Sequence, residues 1–348
     1  MADVTDTAGG LERKAVEAWL GEHVTELRAP FSFHLVAGGR SNLTYAVTDG
    51  RDRRFVLRRP PLGHVLQSAH DMGREHRIIS ALAPTDVPVP TALGFCDDPT
   101  VTGAPFYVMD FVDGAILRAE SDVEARFSPM QRATIADALI DALADLHQVD
   151  PDAVGLGGLG RRTGYVERQL RRWHGQFEQS KSRDVPAIDE VHRRLSAHVP
   201  EAPRTAIVHG DFRIDNCVIA GDGSVAAVLD WELATLGDPL ADLGLLMVYW
   251  IRPGHGGADV LIGSPTATDG FPEREALVER YVQRTGADVS QLSYYTALGY
   301  WKLACIAEGI HARYVAGVMG DDAGDDGRFA DQVGQLGDLA LAATDDLA

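Results

Sequence analysis

The chain has 348 residues, of which 45% are apolar and 24% are charged, and this balance excludes a disordered protein. Its length fits one large domain or two lobes. The 51 acidic residues against 32 basic ones leave a formal charge of −19, which disfavours nucleic acids and anionic membranes as partners. An acidic protein would suit a cationic substrate, but acids scattered along a chain are also typical of a solvated surface.

The N-terminus and the cysteines predict a cytoplasmic protein. Residues 1–10 are acidic and polar rather than basic and then apolar, so they do not resemble a signal peptide. No apolar run reaches the roughly 18 residues that a membrane-spanning helix needs. Cys96, Cys217 and Cys305 are widely spaced and form no CxxC pattern, which suits a reducing compartment and argues against a disulfide framework or a structural zinc site.

The first third of the chain combines short β-type segments with two helices. A helix with one apolar side is expected first, followed by two hairpin connections at Gly38-Gly39 and Asp49-Gly50. We predict a β-rich N-terminal lobe over residues 1–112 that binds a nucleotide. The predicted helices are 11–27 and 70–82, and the predicted strands are 31–37, 43–48, 55–58, 89–95 and 105–111.

The pattern becomes mainly helical after residue 112. Ser128, Pro129 and Gln131 form a helix start, with a capping hydroxyl, a proline in the first turn and a glutamine three residues after the cap. We predict a helical C-terminal lobe over residues 113–348 that carries the catalytic loop and the acceptor site. Its predicted helices are 128–147, 165–199 and 292–315, and its short strands are 206–208, 217–220 and 225–229.

The most informative stretch is HGDFRIDN, residues 209–216, followed 14 residues after Asn216 by Asp230 in VLDWE. Phosphoryl transfer needs a carboxylate near the attacking hydroxyl, oxygen ligands for Mg²⁺ and cations on the phosphates. A loop with Asp211 and Asn216 could supply the carboxylate and one metal ligand. A hairpin that returns through 225–229 would deliver Asp230 as a second ligand.

These two motifs resemble the aminoglycoside phosphotransferase and choline kinase group, which is related to protein kinases. The resemblance extends from about residue 31 to 314. It implies an α+β, two-lobed protein-kinase-like fold that holds ATP and Mg²⁺ in a cleft, with Asp211 as catalytic base and Asn216 and Asp230 as metal ligands. Trp231 stands where protein kinases carry the Phe of DFG, which favours a small-molecule hydroxyl acceptor over a protein.

Other residues near these motifs are expected to support the loop. His209 is expected to brace the catalytic loop rather than act as a base. Asp238 and Asp242 are expected to cap and brace the helix that follows them. Asp215 is either structural or directed at the substrate.

The first lobe offers candidates for the phosphate-binding loop. The segment AGGRSNLT, residues 37–44, lies between two predicted strands, where kinases place a loop over the phosphates. Gly38 and Gly39 permit close approach of the backbone, and Ser41 or Asn42 could donate to phosphate oxygens. The segment is not GxGxxG, and a plain hairpin explains it equally well.

The third strand and the segment 105–114 offer candidates for the rest of the nucleotide site. Alternation places Val56 and Arg58 on one face, which matches a kinase strand that meets adenine and phosphate, although kinases use lysine where this chain has arginine. Glu75 is the expected ion-pair partner of Arg58. The segment PFYVMDFVDG resembles the kinase hinge, where backbone groups of Asp110 to Val112 would bind the adenine edge; an ordinary buried strand is the alternative.

The acceptor is less constrained than the ATP site. VLRRPP, DWELATLGDP and EGIHARY resemble the phosphotransferase branch associated with acyl-CoA dehydrogenases, which implies hydroxylated acyl acceptors, with Lys302 or Arg313 as candidate ligands of a carboxylate or phosphate. An aminoglycoside kinase and a nucleotide-binding pseudokinase that acts as an interaction module are the alternatives. The sequence does not determine the oligomeric state.

Overall fold

A computed structural model of the chain describes residues 7–8, 11–38, 42–60, 71–201, 204–253, 264–316 and 328–347. The chain divides into two units, one formed by residues 1–114 and 226–232 and the other by residues 115–225 and 233–348. Within the described ranges, no helix combines the length and the apolar character needed to cross a bilayer.

The first unit is built on a five-stranded antiparallel sheet. Its strand order is β3 (Ser32–Gly38), β4 (Leu43–Thr48), β5 (Arg54–Arg59), β7 (Phe106–Asp110) and β6 (Ala92–Cys96), and β5 pairs with β4 in a register that sets Arg58 opposite Thr44. The helix α1 (Arg13–His23) covers one face of this sheet. The elements in chain order are β1 (Thr7–Ala8), β2 (Leu11–Glu12), α1 (Arg13–His23), β3 (Ser32–Gly38), β4 (Leu43–Thr48), β5 (Arg54–Arg59), α2 (Met72–Leu82), β6 (Ala92–Cys96), α3 (Pro99–Thr102) and β7 (Phe106–Asp110).

Strand β5 presents different side chains to the two faces of the sheet. Phe55 and Leu57 are fully buried in the core that α1 covers, together with Trp19 and Leu20 of that helix. The alternate positions, which include Val56, are only partly buried. The alternation predicted for this strand therefore leaves Val56 and Arg58 on the face away from α1, as a nucleotide site on that face would require.

The second unit is mainly helical and contains a short antiparallel pair, β8 with β11, in which Val208 lies opposite Thr235. The capping box predicted at Ser128 is present: Ser128 Oγ accepts from Gln131 N, and Gln131 Oε1 accepts from Ser128 N at 3.0 Å. The remaining elements in chain order, of which β10 belongs mainly to the first unit, are α4 (Glu120–Glu124), α5 (Pro129–Gln148), α6 (Tyr165–Ser180), α7 (Pro186–Ala197), β8 (Ala206–Val208), β9 (Cys217–Ile219), β10 (Val225–Val228), β11 (Thr235–Gly237), α8 (Leu240–Tyr249), α9 (Arg274–Thr285), α10 (Leu292–Val315) and α11 (Arg328–Ala343).

One predicted helix, residues 165–199, is two helices in the structure. The helix α6 ends at Ser180, and α7 begins at Pro186, whose missing N–H is tolerated in a first turn but not in a helix interior. Glu308 of α10 holds the connection, because its Oε1 accepts from the backbone N and the hydroxyl of Ser182, both at 2.9 Å. The strand β11 was not predicted at all.

The long helix α10 lies along the centre of the second unit. It packs closely on α8, where a Cβ on Gly244 would lie 2.6 Å from Tyr295 backbone and side-chain atoms, so only glycine allows this approach. Most of the aromatic residues of α10 are buried in the core: Tyr294 OH donates to Leu195 O at 3.0 Å, and Trp301 Nε1 donates to Ile188 O at 2.9 Å.

Candidate functional site

A charged cluster in the first unit surrounds Arg58. Its guanidinium lies 2.5 Å from Asp230 Oδ1 and 3.5 Å from Glu75 Oε2, so the two side chains expected to pair are in contact. Burial lowers the pKa of Arg58, but the neighbouring Tyr107, Glu75 and Asp230 outweigh this and raise it. Arg58 is therefore a permanent cation fixed between two carboxylates.

Glu75 is almost completely buried in this cluster, and Tyr107 is a member that the sequence did not reveal. Tyr107 OH donates to Glu75 Oε2 at 3.0 Å. Burial raises the pKa of Glu75, and Arg58 and the tyrosine hydroxyl oppose that shift. Because Glu75 is held from two sides, it can keep the Arg58 guanidinium in one orientation.

Asp230 follows the end of β10 in an unusual backbone conformation. Its φ of 66° lies in the left-handed region, which is costly for a residue other than glycine and is concentrated at functional sites. The contact with Arg58 uses Oδ1, and 32% of the side chain is exposed. A carboxylate held in this way can bind a cation with its second oxygen.

Asn42 takes a different position from the one expected of a phosphate donor. Its Nδ2 lies 3.5 Å from Glu75 Oε1 and 3.3 Å from Glu232 Oε2, so the amide donates to carboxylates. Its buried Oδ1 has no hydrogen-bond partner among the described residues. Gly38 is the last residue of β3, whereas Gly39 and Ser41 lie outside the described residues.

The cluster around Arg58 contains more carboxylates than cations. Glu75, Asp230 and Glu232 provide three carboxylates, and Arg58 neutralises one charge, so the cluster has an excess of negative charge. Oxygen ligands of this type are those that Mg²⁺ prefers.

The predicted hinge segment, residues 105–114, comprises β7 and the residues that follow it. Asp110 N donates to Thr91 O at 2.9 Å, so the Asp110 backbone can take part in a further hydrogen bond only as an acceptor, through its carbonyl. The Asp110 carboxylate accepts from Arg53 at 2.6 Å. Val112 is partly buried.

In the second unit, the catalytic loop is anchored through its backbone. It begins after β8 with His209 and Gly210, whose N–H groups donate to the Asp242 carboxylate at 2.6 and 2.8 Å. Gly210 has a φ of 81°, and a Cβ there would lie 2.9 Å from Leu233 O, so this turn requires glycine.

The two aspartates expected to brace α8 therefore have different partners. Asp238 caps the helix, because Oδ1 accepts from Leu240 N at 2.9 Å and Oδ2 accepts from Tyr295 OH at 2.6 Å. Asp242 instead holds the catalytic loop and lies 3.3 Å from His147 Nε2. His209 is fully buried, and its Nδ1 accepts from Asp211 N at 3.3 Å, so it supports the loop as expected.

The carboxylate of Asp211 is held by two neighbours in the same loop. Asn216 Nδ2 donates to Asp211 O at 2.8 Å and to Asp211 Oδ2 at 3.1 Å, and Arg213 Nε lies 3.7 Å from Oδ2. One quarter of the Asp211 side chain is exposed, so the carboxylate is accessible from solvent. Both Asn216 bonds use the amide nitrogen. The amide oxygen, which is the atom that can bind a metal ion, therefore points away from Asp211.

A pocket of about 410 Å³ adjoins this loop within the second unit. Arg213 lies at its edge, 2.8 Å from Asp215 Oδ2 and with its guanidinium 4.8 Å from the Tyr249 ring centroid. Burial raises the pKa of Asp215, and Arg213 opposes that shift. The pocket is lined by Arg118, Arg213, Ile214, Asp215, Tyr249, Ser264, Pro265, Leu303, Ile306, Ala307, Ile310, Phe329, Gln332 and Leu336.

The cationic pair expected from Lys302 and Arg313 is separated in the structure. Lys302 Nζ donates to Gly210 O at 2.7 Å. Arg313 lies 11 residues further along α10, a distance of about 16 Å at 1.5 Å per residue, and its side chain is exposed. Arg118 and Arg213 occupy the pocket instead. Neither was predicted as a pocket residue: Arg118 comes from a segment with no recognisable pattern, and Arg213 belongs to HGDFRIDN, in which no role was assigned to the arginine.

Comparisons with known proteins identify the family of the chain. The model of the phosphotransferase enzyme family matches residues 32–295. Acyl-CoA dehydrogenase family member 10 of Mus musculus is 34% identical over 309 residues, which are 87% of this chain and 28% of the relative, so the chain spans less than a third of that protein.

Two solved structures share the fold. A candidate aminoglycoside phosphotransferase from Ralstonia eutropha is 32% identical, with a TM-score of 0.79 that covers 96% of this chain and 98% of the other. A thermostable mutant of aminoglycoside phosphotransferase APH(4)-Ia, solved with ADP and hygromycin B, is 15% identical, with a TM-score of 0.63 over 94% of this chain and 98% of the other. The protein-kinase-like fold and the resemblance to the acyl-CoA-dehydrogenase-associated branch are thus confirmed, and the chain belongs to the phosphotransferase enzyme family.

Proposed function

We propose that the protein is an ATP- and Mg²⁺-dependent phosphotransferase that phosphorylates a hydroxyl group of a small molecule. The observation that carries this proposal is the position of the Asp211 carboxylate. Asn216 and Arg213 hold it, and the residues that follow it in the same loop line a pocket. ADP is bound by one neighbour with this fold, which supports ATP as the donor.

Asp211 acts as the base in this proposal. The acceptor oxygen bonds to the γ-phosphorus of ATP, the bond from that phosphorus to the ADP oxygen breaks, and the hydroxyl proton passes to Asp211. Asn216 and Asp230 supply oxygen ligands for Mg²⁺. Bound Mg²⁺ would neutralise negative charge on the phosphates.

The first unit binds the nucleotide in this proposal. Arg58, oriented by Glu75, contacts the phosphates, and the segment of Gly38, Gly39, Ser41 and Asn42 covers them. Adenine lies on Val56 and meets backbone groups of the segment from Asp110 to Val112. The excess of carboxylates around Arg58 supports a site that binds a nucleotide together with a divalent cation.

The acceptor that fits the pocket best is a hydroxylated acyl compound. The side of α10 that faces the pocket is apolar, with Leu303, Ile306 and Ile310 at helical spacing, which suits a hydrocarbon chain. The exposed Arg118 is available for an anionic group of the acceptor.

An aminoglycoside fits this pocket less well. Such a compound carries several ammonium groups and needs several carboxylates. Among the residues that line the pocket, Asp215 is the carboxylate, and it is already paired with Arg213. The acyl-CoA dehydrogenase relatives favour the same acceptor class as the pocket does.

An ADP-release screen tests the proposal. Hydroxy fatty acids, their CoA thioesters, kanamycin and amino alcohols are each supplied with Mg-ATP, and Asp211→Asn serves as the background. We expect the highest kcat/KM with a hydroxylated acyl compound and a loss of about 10²- to 10⁴-fold in kcat for Asp211→Asn, the usual contribution of a general base.

Two outcomes would contradict the proposal in different ways. A preference for kanamycin would contradict the proposed acceptor class but would still support phosphotransferase activity. Tight binding of Mg-ATP without turnover on any acceptor would instead favour a pseudokinase.

A further inference from the structure

Lys302 is tied to the catalytic loop from a distant part of the chain. Its Nζ donates to the carbonyl of Gly210 at 2.7 Å, across 92 residues of sequence. Asp242 holds the N–H groups of His209 and Gly210, so Lys302 and Asp242 fix the same turn through its carbonyl and its amides respectively. The carbonyl that Lys302 holds belongs to the peptide that joins Gly210 to Asp211. The orientation of that peptide determines where the Asp211 side chain begins.

The surroundings of Lys302 are unusual for a lysine. Its ammonium lies 5.4 Å from the Trp173 ring centroid and lines a small cavity of about 30 Å³. Burial lowers the pKa of Lys302, although Asp211 and Asp242 act in the opposite direction. Burying an ammonium costs desolvation free energy that an apolar residue in this position would not cost. The hydrogen bond to Gly210 offsets part of that cost.

We propose that Lys302 is a positioning residue for phosphoryl transfer, which fixes the Gly210–Asp211 peptide so that the Asp211 carboxylate is directed at the acceptor hydroxyl. This inference rests on the function proposed above and adds a role that the catalytic motif does not contain. Lys302 contacts the loop backbone rather than a substrate, so its removal should lower kcat and leave the binding of both substrates unchanged.

Three variants test this role. Lys302→Met keeps the length of the side chain and removes the donor, and Lys302→Arg keeps a cationic donor, for which the adjoining cavity provides space. Lys181→Met is the matched control, because the Lys181 ammonium also lies 5.4 Å from an aromatic ring, that of Phe177, but pairs with Glu178 on the surface.

We expect Lys302→Met to lower kcat by about 10- to 100-fold, the usual consequence of misplacing a catalytic group by about 1 Å. The KM values of ATP and of the acceptor should stay within about threefold, a small binding change of less than 1 kcal/mol. Lys302→Arg should recover most of the lost kcat, and Lys181→Met should match the wild type.

Hydrogen exchange over residues 206–216 provides a readout that does not need turnover. We expect faster exchange in Lys302→Met than in the wild type or in Lys181→Met, because the Gly210 carbonyl has lost the donor that holds it. Unchanged exchange together with unchanged kcat would overturn the proposal. The fraction of folded protein is measured by circular dichroism. If Lys302→Met lowers kcat by no more than it lowers the folded fraction, the proposal is also overturned, because Lys302 would then have only a structural role.

ADP release by the wild-type protein distinguishes a failure of the Lys302 proposal from a failure of the proposed function. If the wild type releases no more ADP than Asp211→Asn with every acceptor, the phosphotransferase itself is contradicted and the role of Lys302 in it falls too. If the wild type turns over, the Lys302 variants alone decide.

Discussion

Arg58 links the acidic side chains of the first unit. Its guanidinium contacts Asp230 and Glu75 while only 11% of the side chain is exposed. A planar guanidinium can contact two carboxylates in fixed directions, whereas a lysine ammonium is a single point of charge. This geometry gives a physical reason for arginine in a position where the related kinases use lysine.

Replacement of Arg58 should be costly for both stability and nucleotide binding. Arg58→Gln leaves two carboxylates without their cation, and removal of one partner from a buried ion pair costs about 3–5 kcal/mol. We expect the free energy of unfolding in urea to fall by about that amount, and the affinity for Mg-ATP in calorimetry to fall with it. Arg58→Lys should lose less, because the charge remains.

Arg54 provides a matched control for this prediction. It lies on the same face of β5 and pairs with Asp113, but both side chains are largely exposed, so Arg54→Gln should cost about 1 kcal/mol or less. An equal loss of stability in Arg54→Gln and Arg58→Gln would contradict the importance of burial in the Arg58 cluster.

The pairing of Arg58 with Glu75 could be predicted from sequence, but the rest of the cluster could not. Strand alternation determined the face of Arg58, and a helix placed shortly after the strand supplied the glutamate. Tyr107 and Glu232 come from distant parts of the chain and carry no local pattern. Tertiary contacts of this kind are visible only once the strands are paired.

At the scale of elements, local chemistry predicted starts and turns better than it predicted ends. The β4–β5 turn was predicted from Asp49-Gly50, and the Asp49 carboxylate accepts from Arg51 N and Arg53 N at 2.8 and 2.9 Å. The break between α6 and α7 was missed, although Pro186 was a signal for it. Strand β11 has only three residues, too few for alternation to be recognised.

The helix α5 allows a direct test of the capping that was predicted. Its last turn carries His147, which contacts Asp242 behind the catalytic loop, so the stability of α5 is linked to the site. Ser128→Ala removes the acceptor for Gln131 N and should lower the free energy of unfolding in urea by about 1 kcal/mol.

Thr134 of the same helix is the control for the cap. Its hydroxyl donates to Met130 O within the helix, on an exposed position, and alanine has the higher helix propensity. Thr134→Ala should therefore leave the free energy of unfolding unchanged or raise it by about 0.5 kcal/mol. If Thr134→Ala lowered the free energy of unfolding as much as Ser128→Ala does, the loss in Ser128→Ala could not be attributed to the cap.

At the scale of the whole molecule, the fold could be predicted because the motifs VLRRPP and HGDFRIDN lie far apart within the 264 residues, 32 to 295, that match the family model. The acceptor pocket was not predictable in the same way. Its walls come from α8, α10, α11 and three other segments, and Arg118 among its lining residues belongs to no motif, although Arg213 is part of HGDFRIDN. The net charge also left the acceptor open, since a value of −19 describes the entire surface and not the pocket.

The net charge nevertheless makes a prediction about rates. A chain with a formal charge of −19 repels an anionic acceptor over long distances, and salt screens this repulsion because the Debye length falls from about 30 Å at 0.01 M to about 8 Å at 0.15 M. Contacts that Arg118 and Arg213 make inside the pocket are shorter than either length and are screened less.

We therefore expect kcat/KM for a hydroxyacyl-CoA to rise with ionic strength across this range at saturating Mg-ATP. A cationic acceptor such as kanamycin should show the opposite slope, and an uncharged hydroxyacyl amide should show little change, which makes it the control for effects of salt on the enzyme itself. A fall in kcat/KM for the anionic acceptor would mean that local attraction at the pocket outweighs the field of the whole protein.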